Sequence, residues 1–159
     1  MVRDRNGGRV GSVTHAFEVP RLDGFRVSTP ILSDSVQAAA GGTSTRPVLV
    51  ARRTFAAGST LFCQFAAYGA LRDGRTAAPS VSSSWKLIRA SDGALVRATE
   101  PRAMAPAPDG SLLRLYGISL AGIQPGEYEL VLDVRDELAV RRVEVREPFV
   151  VSSALGVSG

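Results

Sequence analysis

Ile118-Ser-Leu-Ala-Gly-Ile-Gln-Pro-Gly-Glu-Tyr-Glu-Leu-Val-Leu-Asp133 is the stretch whose reading decides the fold class. Gln124-Pro125-Gly126 stops one run and turns the backbone, because proline fixes φ and glycine accepts the positive φ of a reversal. The next run places Tyr128, Leu130, Leu132 and Val134 on one face by period-two alternation, which is the spacing of a half-buried strand and not of a helix.

Working outward, the same punctuation recurs. Strand signals are expected at 12–19 and 25–32, joined by the turn-forming Pro20-Arg21-Leu22-Asp23-Gly24, then at 47–53 and 60–69 with Ala57-Gly58-Ser59 between them. Residues 36–46, 70–80 and 101–110 read as loops. Trp85–Arg89 and Ser91–Val96 form a hairpin around Asp92-Gly93. Further strands are expected at 111–120, 127–134 and 139–151. The core face is expected to carry Trp85 with Leu87, Leu113 with Leu115 and the smaller Gly117, and Leu61, Cys63, Phe65 and Ala67. No run reads as a convincing helix, and parallel strands would need crossover helices. The expectation is therefore an all-β, antiparallel two-sheet sandwich of about seven to nine strands.

A tyrosine two residues past a Pro-Gly turn, opening an alternating strand, resembles the tyrosine corner of immunoglobulin-like and fibronectin-like sandwiches. That resemblance gives Tyr128 and Gly126 a structural role. It implies that the Tyr128 hydroxyl bonds back to the connecting loop. Trp85 is expected as the core anchor between the sheets.

At 159 residues, with 45% hydrophobic residues, the chain is long enough to bury a core without disulfides or metal. The expected organisation is residues 1–20 as a strand or linker, 21–151 as the sandwich and 152–159 as a flexible tail. Residues 9–19 alternate as a strand that either folds back on its own sandwich or adds to a neighbour's sheet as a donor strand. Exchange of that strand would build a head-to-tail filament. No apolar run reaches bilayer-spanning length, and residues 1–8 lack the apolar core of a signal peptide, so a secreted chain would have its signal upstream or removed.

The net charge of +4 invites a nucleic-acid reading, but of 19 basic residues only Lys86 is a lysine, and the arginines are scattered and often stand beside acids, as in Arg135-Asp136-Glu137. A phosphate-binding stripe needs clustering that this pattern lacks. The lone Cys63 forms no intrachain disulfide and reads as a small buried hydrophobe, and the lone His15, alternating with Val13 and Phe17, reads as structural. No nucleophile–base constellation, phosphate loop, zinc motif or calcium loop stands out, so no catalytic residue, cofactor or metal is expected. Asp133 and Asp136 could meet Asp34 or Glu137 around a cation, although turn capping and surface pairing explain such acids more often. Trp85, Tyr68 and Tyr116 are the aromatic residues that could serve as sugar-stacking platforms.

Val2-Arg3-Asp4 with Gly8-Arg9-Val10-Gly11, Phe17-Glu18-Val19-Pro20, Phe25 to Asp34, Arg53-Thr54-Phe55-Ala56-Ala57-Gly58 and the Pro125-Gly126-Glu127-Tyr128 strand look like the carboxy-terminal region of large secreted bacterial proteins that carry a von Willebrand factor A-related domain upstream. The resemblance implies a non-enzymatic, extracytoplasmic module at a bacterial surface, serving as a structural or protein-interaction unit. It also implies that Val2 to Gly11 is the last strand of a preceding domain. The Asp-x-Ser-x-Ser metal motif of the A domain is absent, so its adhesion chemistry does not carry over. Its partners would be other proteins or neighbouring domains, with self-association through edge strands. A carbohydrate-binding accessory domain is the alternative.

Overall fold

The computed structural model describes residues 24–38 and 45–153, together with the backbone of 2–3 and 10–11. Among these residues there is strand, turn and irregular chain, and no helix. The expected strand at 12–19, His15 and the tail beyond Ser153 lie outside the described residues. β1 (Val2–Arg3) pairs antiparallel with β2 (Val10–Gly11).

A larger sheet is built around β9 (Val81–Arg89), β13 (Gly126–Asp136) and β14 (Arg141–Ser152), with β13 hydrogen-bonded to both others over nearly its whole length. β10 (Leu95–Ala98) and β11 (Arg102–Ala103) lie on the far side of β9. β7 (Thr54–Ala56) runs parallel to the end of β14, from Val150 to Ser152. A smaller sheet has β8 (Thr60–Tyr68) at its centre, β12 (Leu112–Ser119) on one side, and β3 (Arg26–Val27) and β4 (Ile31–Ser33) on the other. β5 (Val36–Ala38) and β6 (Thr45–Pro47) pair separately. Residues from both large elements fall into one hydrophobic cluster, so the two sheets face each other as a sandwich.

Alternation dictates what that core contains. Leu61, Cys63, Phe65 and Ala67 of β8 are buried while the residues between them are only half-buried. Leu87, Leu130, Leu132 and Val134 are fully buried from the opposite sheet, each worth about 1.5–3 kcal/mol of transfer free energy. Trp85 is 6% exposed and Tyr128 2% exposed. The Tyr128 hydroxyl donates to the Gln124 carbonyl at 2.7 Å, back across the turn at Gly126, whose φ of 155° is unusual for any residue with a side chain.

Five expectations need correction. Leu113, Leu115 and Gly117 do not face the core: Leu113 is 51% exposed, and the inward residues of β12 are Leu112, Arg114, Tyr116 and Ile118. Pairing with β8 decides this, because Leu112, Tyr116 and Ile118 stand opposite the inward Ala67, Cys63 and Leu61. The loop expected at 36–46 has paired ends, β5 and β6, and most of the strand expected at 47–53 is irregular chain. The strand expected at 25–32 is broken at Ser28–Pro30, where proline cannot extend a ladder. Ser152, assigned to the tail, pairs with Ala56.

Candidate functional site

The two outer faces of the sandwich differ in kind. On the larger sheet, the outward side chains of β13 and β14 form an ion-pair lattice. Asp133, 6% exposed, accepts from Arg142 and from Arg135 Nε at 3.3 Å; Arg146 reaches Glu129 at 3.0 Å and Glu144 at 2.8 Å. Burial opposes ionisation of Asp133, but bonds and charges from Arg142 and Arg135 outweigh it and hold the carboxyl below its ordinary range.

On the smaller sheet the outward positions are Ile31 on β4, Phe62, Gln64 and Ala66 on β8, and Leu113, Leu115 and Gly117 on β12. None of these carries a charge; the charged residues of this face stand at its far side, Arg26 of β3 opposite Tyr68 and Arg46 of β6 beside Ile31 and Gln64. Gly117 is overlaid by its neighbour's ring: a Cβ there would sit 3.5 Å from Phe62 Cε1. Where the strand faces inward, polar groups tie it to the larger sheet. Tyr116 Oη and Ser83 Oγ are 2.7 Å apart, and Arg114 donates to the Ala103 carbonyl of β11.

This arrangement settles what the sugar-platform residues can offer. Trp85 lies in the core and presents no ring face, which removes it as a platform. Tyr116 is half-buried between Phe65, at 6.1 Å between centroids, and the Arg114 guanidinium, at 5.6 Å from its centroid. Tyr68 alone of the three is open, at 47% exposure, with Arg26 Cζ 5.5 Å from its centroid. It borders a cavity of about 370 Å³ lined also by Arg72, Pro79, Gly110 and Leu113.

The acids considered for a cation are spent elsewhere. Asp136 accepts from the backbone N–H groups of Leu71, Leu138 and Ala139, Asp34 pairs with Arg52, and Glu137 accepts from Ser82. Among the described residues no group of three acids, histidines or cysteines comes together. Cys63 is buried, and burial, with a smaller contribution from the Glu147 charge, pushes its thiol up to about 12 despite Arg53. A thiolate nucleophile is not accessible at neutral pH in that setting. Among the described residues no helix is long and apolar enough to cross a membrane.

The feature that sequence reading missed is the uncharged β8–β12 part of the smaller sheet's outer face. Its signal was present: Leu-Leu-Arg-Leu-Tyr-Gly-Ile is apolar in both phases, which marks a strand needing cover on two sides. No protein-family model matches the chain, and no curated protein is significantly similar to it.

Proposed function

We propose that the chain is a non-enzymatic, immunoglobulin-like protein-interaction module of a bacterial surface or secreted protein. The observation that carries this reading is the uncharged β8–β12 part of the smaller sheet's outer face, where Leu113 is half-exposed beside the partly exposed Phe62 and Leu115. Two details support the immunoglobulin-like description. The opening strands divide between the sheets, with β7 running parallel to the last strand, and Tyr128 bonds back across its turn in the manner of a tyrosine corner. The extracytoplasmic setting rests on the sequence resemblance.

A photoreactive amino acid at position 113, introduced in cells producing the protein, is expected to cross-link to a polypeptide. The same group at Glu129, on the ion-pair face, is expected to give none. The alternative of a carbohydrate-binding domain is favoured by one observation, the open Tyr68 beside its cavity. Retention on a glycan array that Tyr68→Ala abolishes would overturn the interaction reading.

A further inference from the structure

We infer that the partner taken by this face is a second copy of the chain, joined edge to edge through β12 about a two-fold axis at Leu115. The inference rests on the interaction reading and names its partner.

β12 ends the strand order of the smaller sheet and pairs with β8 alone. In an antiparallel ladder alternate residues turn their N–H and C=O toward the neighbour or away from it. Leu120 donates to the Ser59 carbonyl at 2.8 Å, which sets the phase: Leu112, Arg114, Tyr116 and Ile118 bond toward β8, and Leu113, Leu115 and Gly117 turn outward. Ala66, opposite Leu113, confirms it by exchanging both its bonds with Ser28 on the far side of β8. No partner among the described residues meets the outward groups of Leu113, Leu115 and Gly117.

The window is closed at both ends. Arg97 of β10 donates to the Ser119 carbonyl, while Ser111 donates to Asp109 and accepts from Ala107 N–H. What remains open is three residues centred on Leu115. Antiparallel pairing with a copy of itself sets Leu115 against its own counterpart and Leu113 against Gly117. The bulky, half-exposed leucine thus meets the one position without a side chain, and rests on the Phe62 ring beside it. Pairing of this kind is isologous and closes at two subunits. The chains each carry +4, but Leu113, Leu115 and Gly117 hold none of that charge, and Arg97, at the window's end, is engaged by the Ser119 carbonyl. A partner chosen for opposite charge would find nothing to pair with.

The other long open edge fits no such partner. Val150 donates to Arg53 and Ser152 accepts from Ala57, so the edge-facing positions of β14 continue through Pro148, Arg146, Glu144 and Arg142. Pro148 has no N–H to give, and the charged residues discourage docking.

Sedimentation velocity of the whole chain from low-micromolar to near-millimolar concentration tests the inference. A reversible dimer is expected, with Leu115→Lys raising its dissociation constant by about tenfold or more as like charges meet at the axis. Leu115→Glu is expected to do the same. An equimolar mixture of the two variants is expected to restore a dimer, because position 115 faces position 115 only in this register. Unchanged circular dichroism of both variants identifies loss of pairing and not of folding. A wild-type chain monomeric throughout, a dimer that survives Leu115→Lys, an open-ended polymer, or a mixture that stays monomeric would each overturn the inference. If cross-linking from position 113 still captures another polypeptide, a monomeric wild type sinks the two-fold dimer and leaves the interaction module standing.

Discussion

β12 and β14 are both long strands with an open edge, β14 over the part that β7 does not cover, and they solve the edge problem in opposite ways. β14 spends its edge-facing positions on Arg142, Glu144, Arg146 and Pro148, a set that offers charge and a missing donor to any approaching strand. β12 spends the equivalent positions on Leu113, Leu115 and Gly117. One strand is built to stay unpaired in water. The other carries none of those devices, although the same chain shows that they were available, and this contrast makes its bareness informative about function.

On the opposite side of the smaller sheet β8 is flanked by β3 and β4. Gly69 locks that side: a Cβ there would lie 2.1 Å from the Gly24 carbonyl oxygen, and its φ is 66°. Gly69→Ala is expected to cost on the order of 2–3 kcal/mol in denaturant unfolding, the largest single effect here, through backbone clash plus left-handed strain. A change under half of that would mean the β3 side yields easily and is itself a candidate edge.

The ion-pair face of the larger sheet is expected to be worth less but to depend on pH. Asp133→Asn removes the carboxylate under Arg142 and Arg135 and is expected to destabilise by about 1–2 kcal/mol at pH 7, with the exposure of both arginines limiting the loss. Because the folded carboxyl titrates below its unfolded value, its contribution is complete above the ordinary carboxylate range and disappears as pH falls through the folded value. The difference between wild type and variant is therefore expected to close in the acid limb, below about pH 4. A difference that persists at pH 2 would assign the effect to packing.

Tyr128→Phe is expected to lose about 1 kcal/mol by leaving the Gln124 carbonyl without its donor, read as a shifted denaturant midpoint at constant slope. The smallest effect belongs to the bare edge. Leu113→Lys, at a half-exposed position, is expected to change the stability of the monomer by no more than about 0.5 kcal/mol while weakening association. A large loss of monomer stability would show that Leu113 is covered within its own chain, and would erase the contrast between the two edges.

Much of this molecule can be read from local pattern. The turn at Pro125-Gly126, the inward phase of Tyr128, Leu130, Leu132 and Val134, the inward phase of Leu61, Cys63, Phe65 and Ala67, and the Asp92-Gly93 hairpin all follow from period-two alternation and turn chemistry. In β13 the other face carries Glu129, Asp133 and Arg135, and in β8 the inward phase is broken by no polar residue while the outward phase holds Gln64, so local pattern suffices to orient them. For β12 it does not. Leu112, Tyr116 and Ile118 in one phase and Leu113, Leu115 and Gly117 in the other are equally apolar, and Arg114 in the inward phase points the reading the wrong way. At the rim of a sandwich that arginine reaches the β11 carbonyls, a partner more than ten residues away that no local pattern reveals.

The sequence by itself determined an all-β chain, its main turns and the core faces of its central strands, because those depend on interactions between near neighbours. Only the tertiary structure decided which face of β12 turns inward, where the charged side chains gather and which edge is left bare. Those follow from the register between strands distant in the chain, and a one-residue slip in that register exchanges the core face for the solvent face.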